Sequence, residues 1–143
     1  MYGGTYNHQL DDKGRLRIPS KLKISLGERP TIMQGSDGCL IVMSEEESAI
    51  LAEKLRQIPM SDAKAQQSLR RITASMFFVE EDKQGRFILP LHLRNYAKIE
   101  KNVVFIGVAN RVELWSEESW NSYNEQGKLD SESLFQGLSG YGV

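Results

Sequence analysis

Polar and apolar residues alternate at the start of the chain. Tyr6, His8 and Leu10 fall on one side and Asn7 and Gln9 on the other, the period of an extended strand. The strand runs into Asp11-Asp12-Lys13-Gly14-Arg15. Asp at the first position of this turn and Gly at the fourth predict a type I turn closed by a glycine bulge. Leu16-Arg17-Ile18 reads as the return strand, with Arg15 opposite Asp11, and Pro19 stops it and suits the first turn of a short helix over Ser20 to Leu26. Two apolar runs of strand length follow, Thr31 to Gln34 and Leu40 to Met43, joined by Gly35-Ser36-Asp37-Gly38.

The same order of elements returns once. Leu10 to Pro19 recurs 71 positions later as Glu81-Asp82-Lys83-Gln84-Gly85-Arg86-Phe87-Ile88-Leu89-Pro90, with Phe77 and Val79 in the places of the first strand and Arg86 opposite Asp82. A helix over Leu91 to Ala97 answers the one over Ser20 to Leu26. After one inserted residue, Thr31 to Gly35 faces Val103 to Gly107, and Leu40 to Ser44 faces Val112 to Ser116, the last two strands being joined by the tighter Asn110-Arg111. A long period present only twice predicts an internal pseudo-dimer, because a solenoid needs three or more stacked repeats. Each unit is strand, turn, strand, helix, strand, strand, so the chain belongs to the α+β class.

Between the units, Ser44-Glu45-Glu46-Glu47 is a capping box opening a helix to about Gln57, with Ile50, Leu51 and Leu55 on one face. Ile58-Pro59 ends it. A second helix from about Asp62 to Ile72 carries Arg70 and Arg71 near its C-terminal end, where cations complement the dipole. Ser116 caps a last helix containing Trp120 and Tyr123, and the Gly- and Ser-rich stretch from Asn124 predicts a loosely ordered tail. The organisation is a first unit at 5–47, a helical connector at 48–75, a second unit at 76–119, and a C-terminal helix and tail at 120–143.

With 40% hydrophobic and 26% charged residues in 143, this is the composition of one compact soluble domain. No apolar run approaches the ~18 residues of a membrane helix, and Met1-Tyr2-Gly3-Gly4 lacks the basic and apolar parts of a signal peptide, so the expected place is the cytoplasm. Cys39 opens the apolar run Cys39-Leu40-Ile41-Val42-Met43 and reads as a small core hydrophobe. A net charge of -1 argues against a generic nucleic-acid binder, whose domain is usually basic. Its distribution argues back: Lys13, Arg15, Arg17, Lys21 and Lys23 lie close together, while acids gather in Glu45-Glu46-Glu47, Glu80-Glu81 and Glu117-Glu118.

Catalytic or metal chemistry finds little purchase. His8 and His92 do not match in the repeat, no His/Cys cluster has ligand spacing, and no phosphate-binding glycine loop is present. The Glu45-Glu46-Glu47 run is explained by helix capping, and His8 by its place in a strand. What remains is the repeated Asp-x-x-x-Arg. Asp11, Gly14, Asp82 and Gly85 suit the backbone needs of a turn, and the Asp and Arg pair across it. Lys13 and Lys83, and an Arg where Lys or Thr would pair adequately, are less well explained that way. A fork-shaped guanidinium held by Asp at a hairpin tip is also a pre-oriented ligand for phosphate or a guanine edge. Residue chemistry alone leaves both readings open.

The phrases Leu10-Asp11-Asp12-Lys13-Gly14-Arg15, Asp82-Lys83-Gln84-Gly85-Arg86 and Val112-Glu113-Leu114-Trp115, with Pro19 and Pro90 in place, resemble the MraZ family of bacterial transcriptional regulators. The likeness runs from about Gly4 to Trp120. It implies tandem SpoVT/AbrB-like units forming a swapped-hairpin β-barrel within one chain, with helices between and after them. It also implies ring-shaped homo-oligomers that bind repeated double-stranded DNA elements upstream of the division and cell wall gene cluster. In that reading Arg15 and Arg86 contact phosphate or bases, Lys13 and Lys83 neutralise phosphates, and Asp11, Gly14, Asp82 and Gly85 shape the tips. The protein would be a repressor of its own operon in the cytoplasm and nucleoid, with no cofactor, metal, membrane or small-molecule substrate. A ring presenting many tips would replace net charge by multiplicity. An AbrB-type antitoxin or global regulator, a ring-forming scaffold, and a small barrel enzyme gripping an anionic substrate are the alternatives, separated by whether polyanion binding depends on DNA sequence. Three residues or segments depart from the family pattern: Glu81 where an apolar residue is usual, Lys23 where Arg is, and the Gly/Ser-rich end in place of a C-terminal helix.

Overall fold

The computed structural model describes residues 1–143. The first unit contributes β1 (Thr5–Gln9), β2 (Arg15–Arg17), α1 (Ser20–Leu26), β3 (Thr31–Gln34) and β4 (Leu40–Met43). The connector is α2 (Glu45–Arg56) and α3 (Ala63–Ser75). The second unit repeats the order as β5 (Phe77–Phe78), β6 (Arg86–Ile88), α4 (Leu91–Tyr96), β7 (Asn102–Val108) and β8 (Arg111–Ser116), before α5 (Glu117–Gln126) and α6 (Ser131–Gln136). The fold is mixed α+β. No helix is long and apolar enough to cross a membrane.

The strands pair between units more than within them. One antiparallel sheet has the order β1-β7-β8-β4-β3-β5, and a separate two-stranded ribbon joins β2 to β6. β1 therefore leaves its expected hairpin partner. The Asp11 N–H still donates to the Arg15 carbonyl across the tip at 3.0 Å, but beyond that point β1 pairs with β7 and β2 with β6. The pairing is two-fold about two centres. In the ribbon, Leu16 faces its own repeat equivalent Phe87; in the sheet, Ile41 faces its equivalent Glu113, flanked by Leu40 opposite Leu114 and Val42 opposite Val112.

The registers correct the sequence alignment of the third strand by one residue. Ile32 pairs with Val42 and Phe77, and Phe105 pairs with their equivalents Leu114 and Tyr6, so Ile32 corresponds to Phe105 and not to Val104. Burial agrees, because Ile32 and Phe105 are both fully enclosed in the main core. A strand slipped by one residue would turn its apolar side outward. The turn between β7 and β8 is also displaced by one, to Ala109-Asn110, with Ala109 at φ 57.

One cluster of 18 buried residues forms the main core, drawn from both units in matching pairs: Leu16 with Phe87, Ile18 with Leu89, Leu22 with Leu93. Leu10 breaks the matching. It is buried, while its equivalent is Glu81. A smaller cluster holds Cys39, Val104, Ile106 and Trp115. Burial, followed by the nearby Glu113 charge, pushes the Cys39 thiol up to about 12, the behaviour of an inert core residue.

Ser44 Oγ accepts the Glu47 N–H at 3.2 Å to start α2, and Asp62 Oδ1 accepts the Ala65 N–H at 3.0 Å to start α3. α3 runs on to Ser75, three residues past the predicted end, so Arg70 and Arg71 do not reach its last turn. Pro19 and Pro90 stand just before their helices, at the cap position. Trp115 of β8 packs edge-on to Trp120 of α5 at 5.3 Å, with Tyr123 stacked on Trp120. In place of the loose tail read from Asn124, α5 continues to Gln126 and Asp130 caps the further short helix α6.

Candidate nucleic-acid interface

The two tips have one backbone. Gly14 and Gly85 both sit at φ 76, in the left-handed region that a side chain disfavours, and each donates its N–H to the first Asp carbonyl at 3.0 Å. Asp11 Oδ1 accepts the N–H groups of Lys13 and Arg15 at 3.0 and 2.8 Å, and Asp82 Oδ1 those of Gln84 and Arg86 at 2.8 and 3.0 Å. The other carboxylate oxygen takes the arginine Nε, at 2.6 Å for Arg15 and 3.1 Å for Arg86. These donors hold both carboxyls below the usual carboxylate range; the largest cause is the backbone N–H of Arg15 at Asp11 and of Arg86 at Asp82. Each Asp thus spends its acceptors on the turn and on one edge of the guanidinium. The Nη groups of Arg15 and Arg86 make no hydrogen bond within the chain.

The ribbon then brings the tips together. Directly opposed residues share a face, and side chains alternate along a strand. Leu16 and Phe87 point inward, 1% and 2% exposed, so the other face carries Arg15 opposite Ile88 and Arg17 opposite Arg86. Three arginines therefore stand on one side of a two-stranded antiparallel ribbon. Arg17 was counted in the basic stretch but not singled out by the sequence. Its signal is its partner across the ribbon, which the sequence does not announce.

Lys13 and Lys83 are exposed at the tips without ion-pair partners, but they are not equivalents: Gln84 corresponds to Lys13, and Asp12 to Lys83. A further cation comes to each tip from the helix of the other unit. The Arg94 guanidinium of α4 lies over Gly14, so close that a Cβ there would come within 2.9 Å of Nη1. Lys23 of α1, its repeat equivalent, lies near Gly85 and forms an ion pair with Glu81. The two departures noted at Lys23 and Glu81 are thus one feature. Arg94 was missed by sequence reading, although its position 71 residues after Lys23 was visible. His8 packs edge-on to Phe105, and the His92 ring bonds to the Ser75 carbonyl, so both histidines have structural partners away from the tips.

The family described as "MraZ protein, putative antitoxin-like" matches this chain over residues 1–71 and 73–138. The chain belongs to the MraZ family. It is 41% identical to the transcriptional regulator MraZ of Caldanaerobacter subterraneus subsp. tengcongensis over the whole of both chains. To the MraZ regulator of Heliobacterium modesticaldum it is 44% identical over 96% of each chain, and to that of Carboxydothermus hydrogenoformans 43% over 86% of each. The MraZ family is one of transcriptional regulators and not of enzymes.

Proposed function

We propose that the chain is a sequence-specific DNA-binding repressor of its own operon, the division and cell wall gene cluster, acting without cofactor at the nucleoid. The observation that carries this reading is the ribbon face with Arg15, Arg17 and Arg86. A two-stranded ribbon fits the major groove of B-DNA, and outward guanidiniums suit phosphate or the paired acceptors of guanine. The Asp grip on Nε fixes each fork and leaves the Nη groups for the ligand. Lys13 and Lys83 at the tips neutralise flanking phosphates.

The inter-unit pairing supports reading the chain as a swapped-hairpin barrel of two SpoVT/AbrB-like units, at 5–47 and 76–119. Assembly into rings on repeated promoter elements draws support from surface that the chain leaves uncovered. A groove of about 490 Å³ between α2 and α3 is lined by Leu51, Leu55, Leu69, Met76 and Phe78, and Phe78 is 71% exposed. Trp115 and Trp120 belong to internal packing and are not part of that surface. Closure of a heterologous contact into a ring would cover such a groove and multiply the arginine faces.

The test is a mobility-shift assay on the DNA upstream of the protein's own gene. Arg15→Ala and Arg86→Ala should each weaken binding about 5- to 150-fold, the range of one lost base contact at ~1–3 kcal/mol, with unchanged circular dichroism and oligomer mass. Normal affinity in the double variant would return the motif to a turn-forming role and remove the DNA reading.

A further inference from the structure

The second tip contains a carboxylate that the turn does not use. Asp82 already holds Arg86. Glu81 stands where the first unit has the core residue Leu10, its side chain only 13% exposed, and it takes the Lys23 ammonium from α1. Its remaining oxygen, Oε1, is buried and without a hydrogen-bond partner, so the lysine is the only group balancing that charge. At the first tip the corresponding neighbour is apolar. Arg94 has no acidic partner, and its Nε is buried with nothing to donate to, leaving the whole charge of the fork to be met from outside.

Total charge does not separate the tips, because Asp12 lies in the first turn where the second has Lys83. The difference is in the helix cation. Each turn carries an unpaired lysine, Lys13 or Lys83, but the cation from the neighbouring helix is unpaired over Gly14 and held by Glu81 near Gly85.

Resting on the DNA reading above, we propose that Arg94 is a phosphate-contacting residue of the first tip, and that Glu81 is an internal counter-ion withholding its equivalent, Lys23, from the nucleic acid. A buried carboxylate and a phosphate oxygen compete for the same ammonium, and the carboxylate is covalently present at every moment. Removing it adds one cation per engaged second tip without altering the turn, since Asp82, Gly85 and Arg86 make their bonds independently of it.

The experiment measures affinity for the upstream DNA across about 50 to 200 mM salt, where each phosphate contact contributes a slope of about 0.9 in log K against log salt. Glu81→Gln should steepen the slope by about 0.9 per engaged tip and tighten binding up to about eightfold near 0.1 M salt. Glu81→Leu, which copies Leu10, should do the same and covers the case in which an amide misfolds the hairpin. Glu80→Gln changes net charge equally on an exposed neighbour and should leave the slope alone. Lys23→Ala, made in the Glu81→Gln background so that no carboxylate is left unpaired, should cancel that gain, whereas Arg94→Ala should flatten the slope by about 0.9 on its own. Equal slopes for Glu81→Gln and Glu80→Gln, a gain that persists when Lys23→Ala is added to Glu81→Gln, or an unchanged slope in Arg94→Ala would overturn this inference alone, provided the Arg15/Arg86 double variant has lost binding. Normal binding by that double variant would remove the parent reading, and this one with it.

Discussion

At the first tip an unpaired guanidinium from α4 lies over Gly14, and the Leu89 N–H ties the Gly14 carbonyl to the end of β6 at 3.1 Å. At the second, an ammonium from α1 lies near Gly85 and is held by Glu81. Yet Asp11 and Asp82 make the same set of backbone bonds, with glycines at the same φ. Turn shape is therefore fixed by five consecutive residues, while its electrical surroundings are fixed by a helix of the other unit. The two properties can vary separately.

The strongest challenge to that comparison is to the floor both tips share. Leu16 and Phe87 face each other across the ribbon, buried beneath the face that carries the three arginines. Leu16→Ala should cost about 2–5 kcal/mol and Phe87→Ala about 3–5 kcal/mol, read from urea midpoints. Faster hydrogen exchange confined to one tip, with the midpoint unmoved, would show two separate floors. A smaller effect, about 1–2 kcal/mol each, is expected for Gly14→Ala and Gly85→Ala from the left-handed φ alone. Only Gly14→Ala should also displace a cation, since its new Cβ meets Arg94 Nη1 at 2.9 Å and the Gly85 one meets nothing nearer than 3.5 Å. The first should therefore lose more DNA affinity than the second at matched stability.

Asp11→Asn and Asp82→Asn probe the part that is alike. Asn keeps the Oδ1 acceptor and the turn. Both should lose only a few-fold in affinity by fluorescence anisotropy, each less than its arginine variant; unequal losses would mean that the helix cations reach the Asp–Arg pair. Smallest is the pH response. Both carboxyls titrate below 3.8 in the folded chain, so their contribution is fully present above that value and is lost as pH falls through the depressed one. Carboxyl carbon shifts should give two midpoints under 3.8 and no change above about pH 5.

The tips were legible because their information is local. Asp at the first turn position and Gly at the fourth specify the bonds that form, and Pro19 and Pro90 mark where the next helices begin. Strand partners were not. Tyr6-Asn7-His8 has the same alternation whether it pairs with β2 or with β7, and the choice rests on burying Leu16 against Phe87 and Phe105 in one core. The third-strand register failed for a related reason: Val103 to Ile106 are all buried, so an unbroken apolar run gives no alternation to align on. Arg17 and Arg94 escaped because each gains its significance from the other unit. Glu81 was visible as an oddity, and its partner Lys23 as another, 58 residues away.

The crossing of strands between units has a consequence for how the protein comes into being. Gln9 of β1 waits for Asn102 of β7, 93 residues later, and β4 waits for β8. While the ribosome is still making the connector, the first unit has no second face for Leu16, Ile32 or Val42, and its strand edges stay open. Closing such distant pairs is slow compared with forming helices, and unpaired edges are sticky in the interval. The nascent first half is thus the aggregation-prone species, and safety arrives only when β8 has left the exit tunnel.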